Sequence, residues 1–336
     1  MAVVDVSQLL AEVSPESPCG EDLEYDPAFG EMERASQGRP EQQMGDSVKP
    51  AEDPEWKIVR EKATDVLSRS KDLRAAVFLS RALLNTEGFP GLADGLELVK
   101  GLLDRYWEQF HPRLDPEDNN DPMMRVNTIA SLADNEFVQE VRHSPLVSSR
   151  VLGRFGLRDV DIALGHISAP AGTAAPPDMA TIDGAFMEAE LEDLQVTAEA
   201  VERAGVLARE VESKLAEYVG VGSGADLAPL MQVLKAGGEV LSQQLARRGV
   251  GEAPGTEGAA AGQPRSGEIT SRDDVVRMLD RACEYFERHE PSSPVPLLLK
   301  RAKRLVSMDF MDIMRDMAPG GVQQAETISG NKGDGS

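Results

Sequence analysis

Apolar residues recur at three- and four-residue intervals along most of this chain, and almost nowhere do they alternate one by one. In residues 53–69, DPEWKIVREKATDVLSR, the positions Trp56, Val59, Ala63, Val66 and Leu67 share one helical face. Asp53 is the expected N-cap, with Pro54 at the first helical position and Glu55 beside it. Asp72 opens the next helix, which Leu73, Ala76, Val77, Leu83 and Leu84 carry to a stop at Gly88. A third helix, about 91–109, presents Leu92, Leu96, Val99, Leu103 and Trp107 and ends before Pro112. Asp121 and Pro122 then restart the chain into MMRVNTIASLAD. These runs predict a helical domain over 1–165 with Trp107 and Phe110 in its core. His111, before a proline at a helix end, reads as a capping residue.

Beyond it the pattern changes. Residues 166–180, with SAPAGTAAPPDMA inside them, have linker composition. In 181–219, Leu191, Leu194, Ala198, Val201, Ala208 and Leu215 follow a rough heptad that Glu212 interrupts. GVGSGAD at 220–226 turns the chain, and Asp226 caps a partner helix over 227–248, so 181–249 reads as a helical hairpin. Residues 250–269 form a second flexible linker. In 270–318, Ser271 and Asp274 make a capping-box variant. Val275, Val276, Leu279, Cys283 and Phe286 line a helix to about 289, and LLLKRAKRLVS and DFMDIMRDM read as two short helices. Residues 319–336 read as a disordered tail. The expected class is therefore all-α and multi-domain.

Charge sharpens this picture. The 336 residues carry 35 Lys plus Arg against 58 Asp plus Glu, a net charge of −23, with 41% hydrophobic residues. That is enough apolar content for a core, and a charge that repels nucleic acid and anionic lipid and suits basic protein surfaces. The acid excess lies in the first 269 residues, whereas 270–318 is balanced. The exposed run EDLEYD, 21–26, is one acidic patch that could meet a basic partner or simply be solvated. Two cysteines far apart, Cys19 and Cys283, suggest no disulfide framework. With no signal-peptide pattern and no apolar run of spanning length, the expectation is a soluble cytoplasmic protein that inserts in no membrane.

Little in the chain resembles reaction chemistry. His111, His143, His166 and His289 pair with no second His or Cys at metal-ligand spacing, and no phosphate-binding loop or nucleophile-elbow motif occurs. The loop DPEDNNDP, 115–122, lacks the glycine and the glutamate of a calcium loop, so Asp121 is read as a helix cap. No catalytic residue, cofactor or metal is expected, and the chain is read as a non-enzyme. The basic cluster at Lys300, Arg301, Lys303 and Arg304 lacks stacking aromatics and suits acidic protein neighbours better than nucleic acid.

Two stretches carry a family resemblance. SPCGEDLEYDPAFGEME (17–33), DPEWKIV, SKDLRAAVFLSRALLNTEGFPGLADGL and YWEQFHPRLDPEDNNDPMMRVNTIASLAD together resemble the ImpA-type N-terminal domain of TssA proteins, components of the bacterial type VI secretion system. The run from Ile269, ITSRDDVVRMLDRACEYFERHEPSSPVPLLLKRAKRLVSMDFMDIMRDMAP, is similar to the C-terminal segment of the shorter, baseplate-proximal TssA class. The resemblance implies an assembly factor at the baseplate that promotes or guides building of the inner tube and contractile sheath. It also implies baseplate subunits, the tube protein Hcp and the sheath proteins as partners, and a homo-oligomer through the C-terminal segment. An effector chaperone or adaptor gripping one secreted cargo is the alternative.

Within that segment, HEPSSPVPLLLKRAKRL (289–305) is the expected interface. Pro291, Pro294 and Pro296 fix a rigid corner, and Ser293 can cap the helix that follows. Leu297, Leu298 and Leu299 cannot all face one small helical core, which leaves Leu297 and Leu298 for a neighbouring subunit, and Arg301 and Arg304 can pair with carboxylates across an interface. Glu290 and Phe310 complete the expected set.

Overall fold

The computed structural model describes residues 3–38, 42–44, 47–49, 53–169, 176–220, 222–250, 279, 283 and 295–306. After the short helix α1 (Val6–Leu9), the helices α2 (Pro27–Ser36), α3 (Trp56–Arg69), α4 (Leu73–Glu87) and α5 (Phe89–Tyr106) each pack on the next. Asp72 caps α4, accepting from the amides of Arg74 and Ala75 at 2.8 and 3.4 Å. Asp53 does not cap α3. The Glu55 amide donates to the Ala35 carbonyl at 2.8 Å, which ties residues 53–55 to the end of α2 and delays the helix to Trp56.

Helix α5 buries its apolar residues against neighbouring helices and keeps Glu97, Lys100 and Asp104 on a partly exposed stripe. Leu92, Leu96, Leu98, Val99, Leu102 and Leu103 are all buried. One close approach sets its distance from α4: a Cβ on Gly95 would stand 2.5 Å from Ser80, so only glycine fits there. A short turn (Pro116–Asp118) leads to α6 (Met123–Ala130) and α7 (Asn135–His143).

The chain is not wholly helical. β1 (Gln42–Met44) pairs with β2 (Ser47–Lys49), and β3 (Pro145–Ser149) pairs antiparallel with β4 (Gly153–Gly156). Leu146 and Val147 are buried in succession, so β3 has no alternation for a sequence reading to detect. α8 (Leu157–Ala163) follows directly.

The hairpin expected at 181–249 is not a separate body behind a linker. Asp178 caps α9 (Met179–Glu188), accepting from the Thr181 amide at 2.8 Å. α10 (Leu191–Val219) lies along α5, and α11 (Ala228–Arg247) packs on both α10 and α7. Arg203 on α10 donates to the buried Asp94 of α5 at 2.9 Å and also pairs with Glu97. Asp94 in turn accepts from the Val4 amide at 3.2 Å, joining the N-terminus, α5 and α10 at one carboxylate. A single hydrophobic cluster runs from Val6 to Leu241. The physical reason is that α10 has two apolar faces, one for α11 and one for α5. Glu212, expected to break the α10 seam, accepts from the Leu227 amide at 2.9 Å and so holds the turn into α11.

The chain divides at Thr256 into two units. In the second, Leu279 and Cys283 are helical and α12 spans Val295–Val306. The expected tail at 319–336 and most of 250–294 lie outside the described residues.

Candidate interaction surfaces

The N-terminal motifs converge on one buried polar knot. Lys71 donates its amide to the Cys19 carbonyl at 2.7 Å, and the Ser70 hydroxyl donates to the Glu21 carbonyl at 2.6 Å. The His111 amide donates to the Lys71 carbonyl and the Leu73 amide to the His111 carbonyl, each at 2.8 Å. His111 is therefore no helix cap: it is buried in a backbone bridge, its Nε2 3.2 Å from the Gly20 carbonyl. Capping at the end of α5 falls to Arg125, which is 1% exposed. Its guanidinium donates to the carbonyls of Pro112 at 2.8 Å, Phe110 at 2.9 Å and Trp107. It also lies over the Phe110 and Trp107 rings at 4.1 and 4.9 Å.

Electrostatics in the knot favour holding over reacting. Burial pushes the Cys19 thiol up, which is the reverse of what activates a nucleophile. Burial lowers Lys71, whose ammonium donates to the Leu67 carbonyl at 2.9 Å. Burial also pulls Arg125 down to about 10, still a cation at any physiological pH. Among the described residues, no group of three His, Cys, Asp or Glu side chains is placed to hold a metal ion. In the 115–122 loop, Asp115 and Asp121 accept from the amides two residues on, at 2.8 and 3.0 Å.

The acidic run at 21–26 is exposed but rigidly held. Arg74 pairs with Asp22 and Glu24 at 3.5 and 2.9 Å, and Arg69 pairs with Asp26 at 2.8 Å. Between these anchors Tyr25 projects, 96% exposed. Helix α12 carries the part of the expected interface set that is described. Leu298 is 67% exposed, and Arg301 is exposed beside it. Pro296, Leu297 and Arg304 lie in the helix, with Pro296 in its first turn, where a missing amide costs nothing. Glu290, Pro291, Ser293, Pro294 and Phe310 lie outside the described residues.

A family model described as ImpA, N-terminal, type VI secretion system, matches residues 10–134, which contain the whole knot. Over nearly its full length the chain is 46% identical to the type VI secretion system component TssA1 of Pseudomonas aeruginosa, covering 98% of this chain and 99% of that protein. The chain belongs to the TssA family. A solved TssA N-terminal domain from Burkholderia cenocepacia, including the conserved ImpA_N region, matches with a TM-score of 0.60 at 21% identity. The match covers 74% of this chain and 96% of that one, and it speaks for the fold. A share that large extends past the family-model residues, in keeping with a first unit in which α10 and α11 complete the core of this TssA-family protein.

No helix among the described residues is long and apolar enough to cross a membrane.

Proposed function

We propose that this TssA-family protein is a non-enzymatic assembly component of the type VI baseplate, acting on the cytoplasmic side of the secretion machine. It promotes or guides construction of the inner tube and contractile sheath, and it belongs with the shorter, baseplate-proximal members. Its partners are baseplate subunits, the tube protein Hcp and the sheath proteins. Copies of the chain associate through the C-terminal segment around α12. The observation that carries this reading is the 46% identity with TssA1 over 98% of the chain, which takes in the C-terminal segment as well as the N-terminal motifs. The exposed Leu298, on a helix with a basic face, supports an association surface there.

The deciding measurement is the light-scattering mass of the full chain beside one ending at Gly262. A large assembly that falls to small species on truncation supports the reading. A monomer in both cases overturns self-association and favours the adaptor alternative.

A further inference from the structure

One surface groove, of about 770 Å³, is built from features unrelated to α12 and goes beyond the proposed role. One wall is β3, which pairs with β4 in a sheet of two strands and whose other edge has no strand partner among the described residues. The groove ends at the N-terminus of α5. That 18-residue helix starts without a side-chain cap, because Gly88 holds the N-cap position at φ +71 and offers no acceptor. Pro90 brings no amide, and the amides of Phe89 and Gly91 find no acceptor among the described residues.

A second, independent feature stands at the same corner. Ser144, 7% exposed, has a hydroxyl with no hydrogen-bond partner. Its Oγ is 4.0 Å from where a Cβ on Gly88 would stand, which places it beside the uncapped helix end, and both residues line the groove. A buried hydroxyl left unbonded costs stability. Its place at a helix end already short of acceptors points to a ligand that accepts from both.

Charge fits an anion at this corner. Arg154, exposed and opposite Ser148 in the ladder, forms no ion pair among the described residues. The nearby acids are already engaged: Arg81 and Asn85 hold Glu140, and Arg60 holds Glu87. Asp193 lies in the first turn of α10, where its charge faces that helix's own dipole. The net charge of −23 opposes anions at long range, so recognition here has to be local, through directed donors.

We propose that this groove binds an extended peptide segment that adds along the free edge of β3 and seats a carboxylate on the N-terminus of α5. The carboxylate accepts from the Phe89 amide and the Ser144 hydroxyl, and Arg154 supplies countercharge at the rim. Main-chain bonds along the strand give affinity and the carboxylate fixes register, a combination that strand addition and terminal-carboxylate capture use elsewhere. The carboxylate can come from a chain terminus or from an Asp or Glu side chain, and the chemistry at α5 is the same.

The test uses the full chain and fluorescein-labelled pentapeptides randomised at their last two positions, each made as free acid and as amide, read by anisotropy. Free-acid peptides should bind at least about tenfold more tightly than their amides. Amides that still bind only when Asp or Glu is last would assign the carboxylate to a side chain and keep the proposal. Ser144→Ala should weaken binding about tenfold or more while leaving the melting temperature unchanged or raised, because it removes an unbonded hydroxyl. Arg154→Glu, at an exposed position, should weaken binding without unfolding the chain. No binding by any peptide, equal binding of acids and amides regardless of sequence, or unchanged binding by Ser144→Ala would each overturn it.

Discussion

Trp107 at the end of α5 and Tyr218 at the end of α10 stack face to face, their ring centroids 4.2 Å apart and their planes 2° from parallel. The Tyr218 hydroxyl also donates to the Leu103 carbonyl at 3.2 Å. The two rings join the N-terminal motif region to the part of the chain that looked like a separate hairpin. Tyr218→Ala should cost about 1–3 kcal/mol in urea unfolding and raise the solvent exposure of Trp107 fluorescence. Tyr218→Phe keeps the stack and should lose only about 0.5–1.5 kcal/mol.

Arg125 is the sole described donor to three carbonyls at the end of α5. Arg125→Ala should destabilise the first unit by roughly 3–5 kcal/mol, since it strands buried acceptors as well as removing a cation from two rings. Arg125→Lys should recover only part of this, because an ammonium cannot reproduce the guanidinium fork. Chemical denaturation of both variants decides the point. Equal stability of Arg125→Lys and wild type would show that charge, not geometry, is what matters there.

Asp26 caps α2 and is held by Arg69, with a second bond from the Ala28 amide, so its carboxyl sits at about 2. The folded value lies below the unfolded value of about 3.9. Its contribution is therefore fully present above about pH 4 and is lost as pH falls toward 2. In Arg69→Ala the Asp26 carboxyl should titrate closer to an ordinary carboxylate, as followed by the pH dependence of its carboxyl carbon shift. An unchanged midpoint would remove Arg69 as the cause.

Cutting the chain at residue 165 should leave α5 without α10. The fragment 1–165 is expected to aggregate or melt well below the fragment 1–250, which keeps the Arg203–Asp94 and Trp107–Tyr218 contacts. Circular dichroism melts with light scattering read the difference. A 1–165 fragment as stable as 1–250 would restore the hairpin as an independent body.

At the C-terminal segment, Leu298→Asp with Arg301→Glu should abolish self-association while the melting of the first unit is unchanged. An assembly of unaltered mass would move the association surface elsewhere.

Helices α4 and α5 were legible because local signals and packing agree. Asp72 meets amides at the start of α4, and Gly88 takes the positive φ between the two helices. Asp53 misled because a tertiary bond, from Glu55 to Ala35, outranks a capping preference. Helix α10 misled for a different reason: its heptad fits one partner, and nothing in a heptad announces a second one. Arg125 drew no reading from the sequence. Its one visible signal is that it stands one turn before Ile129, on the buried face of α6. Ser144 offered no signal, since only the fold places it beside Gly88. The interface set could be placed only in part, with Leu298 exposed on α12 and five of the ten residues outside the described chain.

The contacts that close α5 from the α10 side span 109 and 115 residues. At ~5–20 residues per second of synthesis, the apolar helix leaves the ribosome about 5–20 s before its cover exists. The first unit therefore cannot mature as its motif region emerges, however complete that region looks. Stalled or prematurely terminated chains ending between Tyr106 and Leu191 would present a bare leucine-rich face, and these are the species a cell has to shield or degrade.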